Sequence, residues 1–147
     1  MQSFPHCYRT RAAGQPAGEV RLEAAGLPAI AVAPPAEFEG PGDRWSPETL
    51  MSGAIASCFI LTFRAIARAS RLEWTDVVCE VEAKLDRVEG ETRFTEFLIR
   101  AELEVPPGVE PERAERLLEK SERNCLITSS LRATVRFEAN VRVPVAA

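Results

Sequence analysis

The stretch SPETLMSGAIASCF, Ser46 to Phe59, decides the fold of this chain because it opens the longest and most apolar helix that the sequence predicts. Ser46 is a typical N-cap, Pro47 suits the first helical position, and the Glu48 carboxylate favours the positive end of the helix dipole. Apolar residues then recur with the helical period and also fill the opposite side, which predicts a helix buried nearly all round. A cysteine, Cys58, lies in its middle.

The segments on either side of this helix alternate between strand, loop and helix patterns, which predicts an α+β fold class. We expect the strands of the long hairpin to cover the central helix. The predicted elements are three short antiparallel strands within residues 6–32, an irregular proline-rich loop at 33–45, a long hairpin at 74–108 that turns at 89–91, a charged amphipathic helix at 110–124, a short helix at 125–133 and a closing strand at 134–145.

Composition limits the class of protein. With 147 residues, 46% hydrophobic and 27% charged, the chain fits one compact domain over residues 1–147. A net charge of -4 with scattered arginines argues against nucleic acid and against an anionic membrane surface as partners. No secretory signal is visible, and Arg64 interrupts the apolar stretch Leu50–Phe63, so we expect a cytoplasmic protein without a membrane span.

The cysteines and the single histidine restrict the chemistry. The spacing of the four cysteines matches neither a secreted disulfide scaffold nor a zinc site, so in a reducing compartment each serves either packing or chemistry. With His6 as the only histidine, hydrolytic triads and histidine-rich metal sites are disfavoured. We therefore expect no metal and no bound cofactor. The cysteines are Cys7, Cys58, Cys79 and Cys125.

Two observations favour chemistry at Cys58 and Cys125 over packing alone. Cys125 would stand in the first helical turn after Asn124, where unpaired backbone N–H groups stabilise a thiolate. Glu48 lies about 15 Å from Cys58 along one helix, but two copies crossing antiparallel near Gly53 would bring Glu48 of one chain to Cys58 of the other. The alternative is that the small residues around Gly53 simply pack under the sheet.

The pattern SPETL…CF followed downstream by NCLITSSL resembles the OsmC/Ohr family, which comprises osmotically inducible protein C and the organic hydroperoxide resistance proteins. The family motif Asn-Pro-Glu-x-Leu opens a long helix with a cysteine ten residues after the glutamate. Pro47, Glu48, Leu50 and Cys58 match it. The second motif, Cys-Pro-Val-Ser, is matched only at its cysteine, Cys125.

The resemblance implies an intertwined homodimer whose long central helices are enclosed by antiparallel β-sheets. It implies thiol-dependent reduction of organic hydroperoxides, with Cys58 as the peroxidatic thiol and Cys125 as the resolving thiol. The Cys58 sulfenic acid would condense with Cys125 to a disulfide. An external dithiol, a simple thiol reagent or a lipoyl group, would then reduce it.

The resemblance also implies an arginine that activates the thiol, because burial alone would raise the pKa of Cys58. In the OsmC branch this arginine directly precedes a Phe-Glu-Gly sequence. The chain has that sequence at residues 38–40, but Glu37 occupies the arginine's place. Arg44 is the nearest substitute, and the alternative is a solvated Arg44 that pairs with Asp43.

Leu50, Met51, Phe59 and Phe63 are candidates for an apolar substrate pocket, although the aromatic residues fit an ordinary core equally well. Two other functions stay open. One is a non-catalytic relative that binds a small apolar ligand, and the other is a hot-dog-like thioesterase, since a long helix wrapped by an antiparallel sheet describes that fold too.

Overall fold

The computed structural model describes residues 1–145, and their contacts divide the chain into two compact units, Met1–Leu50 and the part from Met51 onward. The boundary falls inside the long helix rather than in a linker. The structure has the α+β class that the sequence predicts, with one long central helix and two β-sheets. The assignment of residues 1–147 to a single domain stays a prediction.

The first unit contains the three predicted short strands, which form an antiparallel sheet in the order β1-β2-β3. Gly26 has a φ of 76° in the turn between the second and third strands, a left-handed conformation that glycine adopts without steric cost. The strands are β1 (Arg11–Ala13), β2 (Val20–Glu23) and β3 (Ile30–Val32).

The loop after β3 is more regular than predicted, because a 3₁₀ turn spans Ala36–Phe38. The chain folds back tightly here, and the Gly40 N–H donates a hydrogen bond of 3.0 Å to the Pro35 carbonyl. A Cβ atom on Gly40 would lie 1.7 Å from the Pro34 carbonyl oxygen, so only glycine fits. The absence of regular structure expected from the prolines is therefore wrong for this turn.

The long helix α1 (Pro47–Ala69) begins where the sequence predicts. The Thr49 N–H donates to Ser46 Oγ at 3.1 Å, and the Ser46 N–H donates to Thr49 Oγ1 at 2.8 Å. This reciprocal capping satisfies backbone donors that have no acceptor inside the helix. Ser46 is buried with its bonds made, so the cap fixes where α1 starts.

In a single chain α1 is buried along one stripe, and the prediction of burial nearly all round is wrong. The buried residues recur at every fourth position, which places them on one face. Leu61, on another face, is 59% exposed. The rest of the helix therefore carries more apolar surface than this chain covers. The buried stripe consists of Ile55, Phe59, Phe63 and Ala67.

By length and composition alone, α1 is also apolar enough to cross a membrane. The expectation that Arg64 interrupts the apolar stretch too early for a membrane span is therefore wrong. Core helices meet the same criterion. Here the buried stripe packs on the sheet of the second unit, with Phe59 and Phe137 ring centroids 5.5 Å apart. The helix is thus the core helix of a folded domain.

The second unit is built on a sheet in the order β4-β5-β6, with β4 and β5 forming the predicted long hairpin. Glu89 and Gly90 at its turn have φ values of 50° and 79°, which the type I′ hairpin turn requires. β6 returns parallel to β5. The strands are β4 (Asp76–Val88), β5 (Glu91–Glu104) and β6 (Thr134–Arg142).

Two further helices precede β6. The amphipathic α2 (Pro111–Arg123) buries Ala114, Leu118 and Ser121 and leaves its charged residues outside. The next helix, α3 (Leu126–Ser129), is shorter than predicted. The hydroxyls of Ser129 and Ser130 donate to backbone carbonyls four residues back, a bond that competes with helix propagation.

Candidate active site at Cys58 and Cys125

Cys58 lies near the middle of α1, half-buried, directly before the stripe residue Phe59. Its neighbour one turn later is Thr62, whose hydroxyl oxygen is 4.0 Å from the Cys58 sulfur. Facing it from outside the helix is the segment that joins α2 to α3. The thiol of Cys125 and the backbone N–H groups of Leu126 and Ile127 donate hydrogen bonds to this sulfur.

The geometry of this segment follows from the way α2 ends and α3 begins. The Cys125 N–H donates to the Glu122 carbonyl at 3.1 Å, which ties the residue to the end of α2. Cys125 then has φ -67° and ψ 118°, an extended conformation, as the N-cap of α3. The first N–H groups of a helix have no acceptor inside it. The N–H groups of Leu126 and Ile127 are therefore free to serve the Cys58 sulfur.

These donors decide the acidity of Cys58. Partial burial raises the pKa of this thiol, but the hydrogen bonds from Ile127, Cys125 and Leu126, together with the Thr62 hydroxyl, lower it more. The pKa of Cys58 thus lies below its ordinary value. All these donors are uncharged, so the cation expected from the sequence is not needed to explain the direction of the shift.

Cys125 is fully buried, and the structure brings it to Cys58 from 67 positions further along the chain. Both are free thiols here. The sequence predicted that the N–H groups after Asn124 stabilise Cys125 itself. Instead they point at the sulfur of Cys58, because Cys125 is the cap residue and its own side chain makes no capping bond.

Cys79 is a third thiol near this pair, and no role was predicted for it. It occupies a core-facing position of β4, in the alternating pattern of Val77 and Val81, and packs on the clusters that cover α1. Burial and the nearby Cys125 and Glu80 raise the pKa of Cys79 to about 11. The β4 alternation was the available signal that Cys79 faces inward. Cys7, by contrast, is exposed.

Arg44, the predicted activating cation, makes its ion pairs within the first unit. Its Nε donates to Glu19 at 3.0 Å and its Nη1 lies 3.1 Å from the Asp43 carboxylate. These carboxylates raise the pKa of Arg44. The side chain is largely solvated, and the pairing with Asp43 is the alternative that the sequence left open. Its role at Cys58 stays a prediction.

Glu48 stands half-buried in the first turn of α1 and borders an apolar groove of about 540 Å³ in the first unit. Leu50, one of the predicted pocket residues, lines the same groove. The remaining wall is formed by Ala12, Val20, Leu22, Val32, Ala33, Pro34, Pro35, Phe38 and Pro47. The groove is an apolar cleft with one carboxylate at its edge.

The other predicted pocket residues lie elsewhere. Phe59 and Phe63 are fully buried in the core of the second unit, with Phe63 packed edge-on against Trp74, and Met51 packs beside Ile55. Their part in a substrate pocket stays a prediction. Among residues 1–145, no group of three or more histidine, cysteine or acidic side chains is placed to hold a metal ion.

The chain resembles known proteins in sequence and in fold. A family model described as OsmC-like protein matches residues 40–140. The chain is 27% identical over 114 residues to the uncharacterized protein YmaD of Bacillus subtilis, which covers 74% of this chain and 76% of that protein.

Solved structures share the fold, and two of them serve as examples. An organic hydroperoxide resistance protein OsmC from Legionella pneumophila is 25% identical with a TM-score of 0.75, covering 96% of this chain and all of that one. An OsmC-like protein of unknown function from Vibrio cholerae has a TM-score of 0.84 at 17% identity, covering 92% of this chain and 99% of that one. The resemblance seen in the sequence is confirmed.

Proposed function

The chain belongs to the family of OsmC-like proteins, and we propose that it is a thiol-dependent peroxidase that reduces organic hydroperoxides to alcohols. One observation carries the proposal: Cys58 has a lowered pKa and receives a hydrogen bond from a second buried thiol, Cys125. A nucleophilic thiolate with a resolving thiol in contact is what two-step peroxide reduction requires.

In the first step the Cys58 thiolate attacks the distal peroxide oxygen. A sulfur–oxygen bond forms as the oxygen–oxygen bond breaks, and the alkoxide takes a proton and leaves as the alcohol. The sulfur loses two electrons and becomes a sulfenic acid. The N–H groups of Leu126 and Ile127 and the Thr62 hydroxyl hold the thiolate before attack.

In the second step the Cys125 sulfur attacks the sulfenic sulfur of Cys58. The disulfide forms, and the hydroxyl group leaves as water with the thiol proton. An external dithiol then returns two electrons by thiol–disulfide exchange, and no bound cofactor takes part. Because Cys125 lies beside Cys58, condensation to the disulfide competes with further oxidation of the sulfenic acid.

Proteins of this family are generally homodimers. We propose that two copies of this chain cross at α1, so that Glu48 of the partner subunit approaches Cys58 with Arg44 held between them. The apolar surface that α1 leaves uncovered in one chain supports this, since Leu61 is 59% exposed. A solution mass equal to one chain at micromolar protein would remove this part of the proposal.

The peroxidase proposal has a direct test with a matched control. Cys58→Ser and Cys79→Ser each replace one half-buried cysteine by an isosteric hydroxyl, and both are assayed by consumption of cumene hydroperoxide with dithiothreitol. We expect Cys58→Ser to lower turnover by at least about 100-fold, because the nucleophile is lost, and Cys79→Ser to leave it within about twofold. Equal turnover in wild type and Cys58→Ser would contradict the proposal.

The apolar groove supports a second candidate, a non-catalytic protein that binds a small apolar ligand. The groove has a volume of about 540 Å³ and is lined by Leu50 and Phe38 among others. Titration with one equivalent of hydroperoxide separates the two functions. A peroxidase loses two thiols per chain at once and links peptide 45–64 to peptide 124–132, whereas a binder oxidises slowly and without selectivity.

A further inference from the structure

The short sheet of the first unit has two faces of different character. Side chains alternate between the faces of a strand, so Val20 and Leu22 of β2 line the apolar groove, whereas Arg21 and Glu23 lie on the opposite side. A second groove, of about 560 Å³, runs along that side. This arginine groove is lined by Arg9, Thr10, Arg11, Arg21, Glu23, Ala24, Ala25, Leu27 and Ala29.

The arginine groove is positively charged, although the chain as a whole is acidic. Its three guanidinium groups outnumber a single carboxylate, that of Glu23, which gives the groove a net charge of about +2 at pH 7. The rest of residues 1–50 carries five acidic side chains and one arginine, and the whole chain has a net charge of -4. The groove is therefore a local attraction for anions on an acidic protein.

Glu23 shows which chemical group the groove holds. Its carboxylate accepts a hydrogen bond from Arg21 and another, at 3.4 Å, from Arg11. Hydrogen bonding and charge from Arg21, and to a smaller extent from Arg11, lower the pKa of Glu23. A guanidinium has five N–H donors, so one shared carboxylate leaves most of them available. Within residues 1–145, Arg9 makes no ion pair of its own. The groove therefore has donors for further carboxylates.

The exposure of these side chains favours a macromolecular ligand over a small one. The side chains of Arg11 and Arg21 are 72% and 68% exposed, and Leu27, in the turn between β2 and β3, is 66% exposed. A pocket for a small molecule encloses most of its ligand, whereas these groups stand in solvent. Arginines around an exposed apolar residue are typical of the surfaces by which proteins bind one another.

The spacing of the arginines fits an extended segment. Arg11 lies opposite Glu23 in the ladder, and Arg21 lies opposite Ala13, so Arg11 and Arg21 are diagonal neighbours. Their Cα atoms are then about 7–8 Å apart. Alternate residues of an extended peptide are about 7 Å apart, so two carboxylates at alternate positions can each reach one guanidinium.

We propose that the arginine groove is a docking site for an acidic segment of a partner protein, whose carboxylates pair with Arg9, Arg11 and Arg21 while an apolar side chain contacts Leu27. In the free protein Glu23 occupies part of this site, and it competes with the carboxylates of the partner. Docking involves neither hydroperoxide nor the thiols, so it stands apart from the proposed peroxidase function.

The test is a titration of the ¹⁵N-labelled full chain with a blocked octapeptide of alternating glutamate and alanine, followed by amide chemical shifts. We expect shifts confined to residues 9–11 and 21–29. Raising the salt from about 0.02 to about 0.2 M should weaken binding at least about fivefold, because exposed charges are screened. The matching peptide of alternating glutamine and alanine should cause no such shifts.

Two substitutions change the charge of the groove in opposite directions. Arg21→Gln removes a guanidinium and should weaken peptide binding at least about threefold, whereas Glu23→Gln removes the competing carboxylate and should strengthen it about threefold. Arg87→Gln and Glu115→Gln are matched controls, because they make the same charge changes at exposed positions of the second unit. Both controls should bind like wild type.

Equal binding by all four variants, with wild-type melting temperatures, would overturn the proposal, as would shifts spread over the second unit. Succinate or inorganic phosphate binding as tightly as the peptide would also overturn it, because the groove would then be a site for small anions. So would self-association that Arg21→Gln abolishes, which would assign the groove to a second copy of the chain. If Arg21→Gln does not fold, the gain of affinity in Glu23→Gln decides alone, and its absence contradicts the proposal.

Discussion

Cys58 and Cys79 are both half-buried thiols near Cys125, yet their pKa values are shifted in opposite directions from the ordinary value of a cysteine. The pKa of Cys58 lies below its ordinary value, and that of Cys79 is raised to about 11. Burial raises both. The difference is that Cys58 faces the N–H groups of Leu126 and Ile127, whereas Cys79 faces apolar core and the sulfur of Cys125. Uncharged donors can therefore single out one thiol among neighbours of similar exposure.

The largest expected effect is a difference in reactivity between these two thiols. At pH 8 a thiol of pKa about 11 is only about 0.1% thiolate, whereas a thiol of pKa below 9 has a thiolate fraction about 100-fold larger or more. The more basic thiolate is the better nucleophile, which offsets about tenfold of this difference in thiolate fraction. We expect Cys58 to react with iodoacetamide at least about tenfold faster than Cys79. Peptides 45–64 and 72–84 report the two rates.

Equal labelling of the two peptides in the folded protein would contradict the predicted difference in reactivity between Cys58 and Cys79. The control is the same reaction in denaturant, where both thiols lose their surroundings and the two rates should converge.

The next effect concerns stability at high pH. An acid whose pKa is raised on folding ionises first in the unfolded chain, and this ionisation stabilises the unfolded state. Cys79 therefore lowers the free energy of unfolding as the pH rises from about 9 to 11. We expect about 1–2 kcal/mol, less than the full shift implies, because solvent screens a half-buried group.

Cys79→Val is the variant for that measurement, because Val77 and Val81 flank it on the same face of β4. Urea unfolding of both proteins at pH 8 and pH 11 gives the difference. The loss of stability should be smaller in Cys79→Val than in wild type. An identical pH dependence in the two proteins would show that Cys79 ionises equally in both states.

The smallest expected effect is at Thr62. Its hydroxyl lies 4.0 Å from the Cys58 sulfur and contributes least among the named donors. Thr62→Val keeps the shape and removes the hydroxyl, so we expect the alkylation midpoint of Cys58 to rise by about 0.3 pH units, roughly twofold in rate. A fall of more than about tenfold in the alkylation rate of Cys58 would contradict this minor role of the Thr62 hydroxyl.

The local parts of this protein were predictable from sequence, and the parts that depend on distant contacts were not. Ser46 and Pro47 placed the start of α1, and Glu89 and Gly90 placed the hairpin turn, because caps and turns depend on a few neighbouring residues. The spacing of Glu48 and Cys58 allowed the family to be recognised. Each of these signals lies within one segment.

The acidity of Cys58 was harder to predict because three of its four donors, Cys125, Leu126 and Ile127, lie more than sixty residues away along the chain. Nothing in the sequence of α1 shows that Leu126 and Ile127 turn their N–H groups toward it, and backbone donors leave no side-chain signature. The partial burial of α1 was missed for a related reason. Helical periodicity shows which residues are apolar, but not which of them a single chain covers.

The closed turn at Gly40 has a consequence for how such sequences are compared. Because a Cβ atom there would lie 1.7 Å from the Pro34 carbonyl oxygen, steric fit alone determines the glycine. Its presence after Phe38 and Glu39 is therefore information about the shape of the loop, whatever reaction a homologue carries out. Glu37, the residue before that tripeptide, is free of this steric constraint. Homologues that share the glycine but differ at position 37 would therefore share the loop shape and differ in the chemistry of the loop.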